Sequence, residues 1–432
     1  MPGWLAKTVR ALGAAALAAT ALAAGHVPAG AQLETTLEKN VAASESPGRA
    51  QPGGRSSEAI ALDVLGDRKN TVLQLTLTRG VTAEVYSLAN PYRVIVDLPQ
   101  VGFQLPADAG RDGRGLVSAF RYGQFAEGKA RIVLDTVGPV AIAKAAMTNS
   151  RSGTGVVLTV ELQPTNAAAF GEGTGGGRQS ASQAQPPASP AAAIATGSTD
   201  KPVVVIDPGH GGIDPGAVGA ADLLEKNLVL AVAKRVQAQL QRSGRYTVIM
   251  TRDRDVFISL NERLALSRRA QSDLFISIHA DSIEQTYAQS IRGATIYTLS
   301  ERASDAQARA IAEKENSSDL VAGLDVAKGE DNTDVKNILI DLMKRETANF
   351  SAEFSRTLVR KLKSNVSLSR DPQRSAAFKV LRQTHAPSVL VELGYVSNAE
   401  DSRQMQAADW QEKVSTSIVA AVDAFFAKRP AE

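Results

Sequence analysis

The first half of the chain alternates apolar and polar residues with the two-residue period of β-strands. In Thr71–Thr78, leucine recurs at every second position, which marks one buried face. Gly, Asn, Asp and Pro separate such runs, and several short strands with turn signals predict an antiparallel β-sandwich over residues 57–165. The predicted strands are Ile60–Val64, Thr71–Leu77, Tyr92–Leu98, Ala130–Leu134, Val140–Ala143 and Gly155–Leu162.

From residue 201 onward, short apolar runs alternate with segments of helical spacing. This alternation predicts an α/β domain over residues 201–428, a sheet with helices on both faces. The predicted strands are Val203–Ile206, Tyr246–Thr251, Leu274–Ile278, Ala294–Leu299 and Ser388–Glu392. The predicted helices between them are Leu223–Leu240, Leu260–Ala270 and Val335–Lys363.

Two segments lie outside these domains. Residues 166–200 consist mainly of Ala, Gly, Ser, Gln and Pro and cannot bury enough surface to offset their ordering entropy, which predicts a flexible linker. At the N-terminus, Lys7 and Arg10 precede the apolar run Ala11–Ala24, and small residues follow at Ala29–Ala31, which predicts a signal peptide over residues 1–31. A membrane anchor is the alternative, but a spanning helix needs about 20 apolar residues.

Composition narrows the possible partners and ligands. Lys and Arg together number 48 against 45 Asp and Glu, and no long basic block occurs, so no nucleic-acid partner is expected. No later stretch is apolar enough to span a bilayer, so the mature protein is not expected to be membrane-spanning. The chain has no cysteine, which excludes disulfides and thiolate ligands. Any metal site must therefore use His, Asp and Glu.

Imidazoles and carboxylates follow several of the predicted strands. After removal of the signal peptide three histidines remain, and His210 and His279 each follow a buried strand. Another strand ends at Glu392, and Glu225 begins the helix after a glycine-rich loop. Ligands of open α/β sheets bind outside the carboxyl ends of the strands, and such a donor set suits zinc. Singly, each residue has a plainer structural explanation, such as a hydrogen-bonded histidine or a helix-capping glutamate.

Four sequence segments resemble the motifs of the zinc-dependent N-acetylmuramoyl-L-alanine amidases of the cell-separation type. They are Asp207–Gly212, Glu225–Leu228, Ser277–Asp281 and Val389–Asn398, in the order of that family and spanning nearly all of residues 201–428. The resemblance implies that His210, Glu225 and His279 hold Zn2+ and that Glu392 is the catalytic general base. Three protein ligands would leave a position for water, as catalytic zinc sites do.

The upstream domain has a resemblance of its own. Asn90–Leu98 and Arg131–Pro139 are similar to segments of the AMIN domain, a β-sandwich that targets such amidases to peptidoglycan at the division site. The resemblance implies a periplasmic enzyme of daughter-cell separation. Its implied reaction is hydrolysis of the amide bond between the lactyl group of N-acetylmuramic acid and L-alanine.

A long insertion interrupts the catalytic domain at about residues 301–346. It contains a strong helix former, Ala303–Asn316. In the amidases that this chain resembles, an inhibitory helix lies here, and one of its glutamates occupies the metal until an activator with a LytM-like fold, linked to the division machinery, displaces it. The resemblance makes Glu315 the first choice for this plug and Glu313 the second. A mere surface helix is the alternative.

Other polar residues near the motifs have secondary predicted roles. Asp207 and Asp281 flank the predicted ligands and are expected to hold imidazole N–H groups. Arg263, on the helix before the second histidine strand, is expected to form an ion pair that faces the sheet. His385 precedes the final strand and either orients Glu392 or the substrate, or has a structural role.

Two other functions remain open at this point. A zinc hydrolase of peptidoglycan could cut within the peptide stem instead of between the stem and the sugar. A catalytically inactive adaptor could bind the wall and activate a true hydrolase. The adaptor would need neither a metal site with an open position nor a general base, so the presence of all four acid and imidazole positions disfavours it.

Overall fold

The computed structural model describes residues 56–106, 109–110, 112–150, 155–170, 201–219, 223–283, 291–324, 338–383 and 385–428. The predicted signal peptide, residues 171–200 of the predicted linker and residues 325–337 of the predicted insertion lie outside these ranges. Within them, no helix is long and apolar enough to cross a bilayer.

Two β-sheets form the N-terminal domain, which confirms the predicted sandwich. One sheet has the order β5-β1-β2-β9-β8 and the other the order β3-β4-β7-β6. All neighbouring strands are antiparallel except β1 and β5. The strands are β1 (Ser57–Gly66), β2 (Thr71–Leu77), β3 (Glu84–Leu88), β4 (Arg93–Pro99), β5 (Val101–Phe103), β6 (Val117–Ala126), β7 (Lys129–Thr136), β8 (Val140–Asn149) and β9 (Val156–Pro164).

Alternation along each strand separates the two faces of the four-stranded sheet. On one face, Val94 and Val96 of β4 enter the core between the two sheets, beside Leu73 and Leu75 of β2. On the opposite face, Ile95 packs with residues of the second domain, Ile213, Phe257 and Ala322, in another apolar cluster. The four-stranded sheet therefore has the sandwich core on one face and residues of the second domain on the other.

Three strands of this domain were not predicted. β3 and β5 are short, and β6 interrupts its apolar positions with Arg121, Gly123 and Gln124, so none has a clear two-residue period. The predicted linker begins with a single helical turn, α1 (Ala167–Phe170), whose Phe170 ring meets Tyr92 edge-on at 4.9 Å.

The second domain, predicted over residues 201–428, contains a six-stranded sheet of order β11-β10-β12-β15-β13-β14. Four neighbouring strands, β11, β10, β12 and β15, are parallel, while β13 runs antiparallel to β15 and parallel to β14. The strands are β10 (Val203–Pro208), β11 (Thr247–Met250), β12 (Leu274–His279), β13 (Ala294–Leu299), β14 (Leu368–Ala376) and β15 (Ser388–Glu392). Only β14 was not predicted, because its sequence is mostly polar.

Helices cover both faces of this sheet, which confirms the predicted α/β class. Helices α2, α6 and α8 pack on one face, and α3, α4 and a 3-10 turn at Lys379–Leu381 pack on the other. The helices of this domain are α2 (Glu225–Ser243), α3 (Leu260–Arg269), α4 (Ala306–Asn316), α5 (Ser318–Val321), α6 (Ile338–Leu362), α7 (Ala399–Gln406) and α8 (Ala408–Phe426).

A buried ion pair ties β10 to α3 beneath the carboxyl edge of the sheet. Arg263 donates to Asp207 across 2.6 Å, and the hydroxyls of Thr251 and Ser277 donate to the same carboxylate. Burial alone would raise the pKa of Asp207, but Arg263 and the two hydroxyls outweigh it and lower the pKa. The predicted sheet-facing ion pair of Arg263 is confirmed.

We expect Asp207→Ala to lower the free energy of unfolding by about 3–5 kcal/mol, because it leaves the Arg263 guanidinium buried without its carboxylate. Urea denaturation followed by circular dichroism measures the change. The matched control is Asp253→Ala, at an exposed aspartate, which we expect to change stability by less than about 0.5 kcal/mol. Equal stabilities of the two variants would contradict the structural role of Asp207.

Candidate metal centre and active site

Two buried imidazoles face each other at the carboxyl edge of the sheet. His279 ends β12, and His210 lies in the loop after β10 with a left-handed φ of 57°. Their ring centroids are 4.9 Å apart. Gly209 permits this approach, because a Cβ atom there would lie 2.3 Å from Cε1 of His279.

Two glutamates point at the same pair of imidazole nitrogens. Oε1 of Glu225, the first residue of α2, lies 3.1 Å from Nε2 of His210 and 3.3 Å from Nδ1 of His279. The Glu225 carboxylate also accepts backbone N–H groups from Ala217 and Ala280, each at 2.8 Å. Oε2 of Glu315, on α4, lies 3.4 Å from the His210 nitrogen and 3.1 Å from the His279 nitrogen.

These four side chains fit a divalent cation. Nε2 of His210 and Nδ1 of His279 are both buried, and neither has a hydrogen-bond partner among the described residues. Ligand atoms of His210, His279 and Glu315 all lie within 4.8 Å of one another. Burial would lower the pKa of His210, but the carboxylates of Asp214, Glu225 and Glu315 outweigh it and raise the pKa well above its usual value. A divalent cation at this position would balance the negative charge of the same carboxylates while the imidazoles stay neutral.

Asp214 orients His210 from the far side of the ring. Its Oδ2 lies 2.9 Å from Nδ1 of His210, so the other nitrogen, Nε2, faces the glutamates. Although burial opposes ionisation, the contact with His210 and two further hydrogen bonds lower the pKa of Asp214 to about 2. Sequence reasoning missed this residue, although an acid four positions after His210 was a usable signal.

The predicted imidazole partners, Asp207 and Asp281, take other roles, and this part of the prediction was wrong. Asp207 is still within β10 and binds Arg263, whereas His210 lies beyond the strand in the loop. Asp281 forms an ion pair with Lys314 of α4 and accepts the N–H of Ser282. Burial and the charge of Glu315 raise the pKa of Asp281 to about 6.

Glu392 ends β15 directly opposite His279 in the strand register. It is fully buried, and its Oε2 accepts the N–H of Asp281 at 3.0 Å, while its Oε1 has no hydrogen-bond partner in the described structure. Burial raises the pKa of Glu392 well above its usual value. His385 lies before the opposite end of β15, with its Nε2 3.4 Å from Oγ of Ser272, so it does not orient Glu392.

Helix α4 and the start of α5 lie over the two imidazoles. Glu315, Asn316 and Ser318 line the same cavity as His210 and His279. Glu313, the second predicted plug residue, is exposed on the other side of α4. Of the two predicted plug residues, the structure therefore brings only Glu315 to the imidazoles.

Comparison with known proteins agrees with this architecture. The family model of N-acetylmuramoyl-L-alanine amidase matches residues 204–424, and the AMIN domain model matches residues 61–160. The chain is 31% identical to the N-acetylmuramoyl-L-alanine amidase AmiC of Escherichia coli, over 86% of this chain and 90% of that protein. It is 38% identical to the N-acetylmuramoyl-L-alanine amidase AmiA of Escherichia coli, over 53% of this chain and 78% of that protein. The chain therefore belongs to the N-acetylmuramoyl-L-alanine amidase family and carries an AMIN domain ahead of its catalytic domain.

Proposed function

We propose that the protein is a zinc-dependent amidase that hydrolyses the amide bond between the lactyl group of N-acetylmuramic acid and L-alanine in peptidoglycan. We also propose that the conformation described above is an autoinhibited one. The convergence of His210, His279, Glu225 and Glu315 beside Glu392 carries the proposal. Family membership supports the amide bond as the target over a bond within the peptide stem. The complete set of ligands and base disfavours an inactive adaptor.

His210, Glu225 and His279 would hold the zinc ion. When bound, zinc supplies a Lewis acid that polarises the scissile carbonyl and makes water a nucleophile at neutral pH. Asp214 accepts the Nδ1–H of His210, which keeps Nε2 unprotonated and aimed at the centre. The backbone N–H groups of Ala217 and Ala280 fix both oxygens of Glu225.

Glu392 would act as the general base. The N–H of Asp281 fixes its Oε2, and its Oε1 remains to take a proton from the attacking water. Because burial disfavours the charged carboxylate, Glu392 binds that proton readily. It can then return the proton to the departing amine nitrogen.

Glu315 would act as an inhibitory plug. Its carboxylate lies against the same two nitrogens that face Glu225, where substrate must approach. Two kinds of contact hold α4 in place: Ile311 and its small neighbours pack into the core beside the sheet, and Lys314 pairs with Asp281. An activator with a LytM-like fold would displace this helix.

The remaining domains would bring the enzyme to its substrate. A signal peptide over residues 1–31 would export it to the periplasm. The AMIN domain, residues 57–165, would bind peptidoglycan at the division site, and the linker, residues 166–200, would lead to the catalytic domain, residues 201–428. The proposed biological role is daughter-cell separation.

We expect Glu392→Gln, tested together with Glu315→Ala to remove the plug, to retain zinc and lose about 10²–10⁴-fold in hydrolysis, because the amide cannot accept the proton. The single variant Glu315→Ala should release stem peptides that begin at L-alanine, which mass spectrometry of the digested peptidoglycan detects. Zinc content is measured in parallel. A double variant that releases these peptides at the rate of Glu315→Ala would refute the assignment of Glu392. Products cut only within the peptide stem would refute the amidase.

We expect Asp214→Asn to weaken zinc binding by about 10–100-fold, because His210 loses the carboxylate that fixes its orientation. Titration of the zinc-loaded protein with a competing chelator measures the affinity. Asp253→Asn, at an exposed aspartate, is the control and should bind zinc like the wild type. Equal affinities of the two variants would show that Asp214 does not support the metal ligand.

We expect Glu315→Ala to raise basal hydrolysis of peptidoglycan at least tenfold without an activator, since it frees the position that the carboxylate covers. Glu313→Ala is the matched control, because Glu313 lies on the same helix and is exposed. Dye release from labelled peptidoglycan measures both rates. Unchanged basal activity of a folded, zinc-loaded Glu315→Ala protein would exclude the plug.

A further inference from the structure

The outer face of the four-stranded sheet in the first domain carries three oriented arginines. Arg93, Arg121 and Arg131 lie on neighbouring strands β4, β6 and β7. Asp97 binds Nε and Nη2 of Arg131 at 2.6 and 2.7 Å, and Asp135 binds Nη1 and Nη2 of Arg121 at 2.5 and 3.0 Å. The Arg131 guanidinium also lies 3.5 Å above the Phe125 ring centroid. These contacts fix the guanidinium groups of Arg121 and Arg131, and Arg93 Nε donates to the carbonyl of Pro91 at 3.2 Å.

The further partner is the end of the inhibitory segment, defined here as residues 306–324. Arg93, Arg121 and Arg131 together donate to the carbonyl oxygens of four consecutive residues. The contacts are Arg93 Nη1 to Leu320 at 2.7 Å, Arg121 Nε to Val321 at 2.6 Å, and Arg131 Nη1 to Ala322 at 3.1 Å and to Gly323 at 3.2 Å. Carbonyls at a helix C-terminus lack intrahelical partners and attract cations, and here they belong to α5 and the turn after it.

The same contact is closely packed. Ala322 is fully buried and shares an apolar cluster with Ile95, Val133 and Phe257. Gly323 has a φ of 73°, and a Cβ atom there would lie 2.7 Å from Cδ1 of Ile95 and 3.2 Å from Cγ2 of Val133. The segment therefore touches the sheet with its backbone, which a larger residue at position 323 would prevent.

The contacts continue without a gap from the sheet to the metal centre. Only four residues separate Glu315 from Leu320. Between them, Ser318 donates to Asp214 at 2.5 Å, and Asp319 accepts the N–H of Leu260 at 2.9 Å. Because both ends and the middle of residues 315–323 are bound, this stretch cannot leave the metal centre as a unit while the arginines hold its end.

We propose that the outer face of this sheet is the docking surface for the inhibitory segment, and that its three arginines form a second lock on the plug. This inference rests on the proposed inhibitory role of Glu315. The first domain thereby restrains the enzyme as well as carrying it to the wall. By linkage, any partner that binds the segment in its released form also weakens its contact with the sheet.

The test uses the full chain with one change on each side of the contact. Gly323→Val acts on the segment and Arg121→Ala acts on the sheet. Arg114→Ala is the control, since that arginine belongs to the same domain and donates to Gly66. Amide hydrogen exchange over residues 318–324, which needs no metal or activity, is measured beside basal hydrolysis of labelled peptidoglycan. Exchange of β2 checks that the sandwich remains folded.

We expect both contact variants to raise exchange in residues 318–324 about tenfold or more, since a hydrogen bond to a charged group contributes that much. Basal hydrolysis should rise with it, and Arg114→Ala should match the wild type in both measurements. If residues 318–324 of Gly323→Val and Arg121→Ala exchange at the wild-type rate, the lock is refuted. If Glu315→Ala nonetheless hydrolyses peptidoglycan faster than the wild type, the inhibitory role of Glu315 still stands. If exchange is faster in the two contact variants but basal hydrolysis rises neither in them nor in Glu315→Ala, the inhibitory role of Glu315 is refuted.

Discussion

The structure depends on an excess of buried negative charge around two imidazoles. Five carboxylates lie at or beside the centre, all at most 5% exposed: Asp214, Glu225, Asp281, Glu315 and Glu392. Among the described residues, Lys314 pairs with Asp281, the two imidazoles face Glu225 and Glu315, and the charge of Arg252 acts on Asp214. Unpaired buried charges are strongly unfavourable, so this cluster needs positive charge. A divalent cation bound between His210 and His279 would supply it in one place, where the candidate ligands converge.

The strand order explains how distant parts of the sequence supply that cluster. Adjacent parallel strands β10, β12 and β15 end at one edge, which delivers His210, His279 and Glu392 from three separate regions of the chain. The start of α2 places Glu225 at the same edge, fixed by two backbone N–H groups. The inhibitory segment adds Glu315 from above. His279 and Glu392 end strands, His210 lies in the loop after β10, and Glu225 begins α2, whereas Glu315 belongs to the insertion.

Sequence patterns predicted the features that depend on local periodicity and on strand ends. Thr71–Leu77 matched its strand because strict alternation leaves one register for burial. The rule that ligands gather beyond strand ends likewise brought His210 and His279 together. It failed for Asp207, because that side chain still belongs to β10 and faces α3. Asp214 was missed because its position depends on the path of a glycine-rich loop, which no periodicity encodes.

The contact between the domains was beyond sequence reasoning for a different reason. Alternation in β4 shows that Arg93, Ile95 and Asp97 share a face, yet it cannot show what covers that face. The mixture of charged and apolar residues is equally compatible with solvent. Only the structure shows that the covering element is the backbone of residues 320–323, whose carbonyls carry no sequence signature. Contacts to the backbone do not depend on the side chains of residues 320–323, so the sequence shows no pattern for them. The one exception is Gly323, where a side chain would not fit against Ile95.

The balance of contacts along the inhibitory segment suits a reversible cover. Its buried apolar side chains on α4 are mainly Ile311 and two alanines, and full burial of a side chain as large as isoleucine contributes about 1.5–3 kcal/mol. The remaining attachments are polar: Lys314 to Asp281, Ser318 to Asp214, and arginines to carbonyls. Water can replace polar partners, so their loss on release costs far less than the exposure of an equal apolar area. A partner of the released segment that is present at about 100 times its Kd contributes about 2.7 kcal/mol to opening, which is comparable with the burial of one such side chain. Several large apolar anchors would raise the cost of release to a multiple of that contribution, so the proposed displacement of the segment depends on its small apolar content.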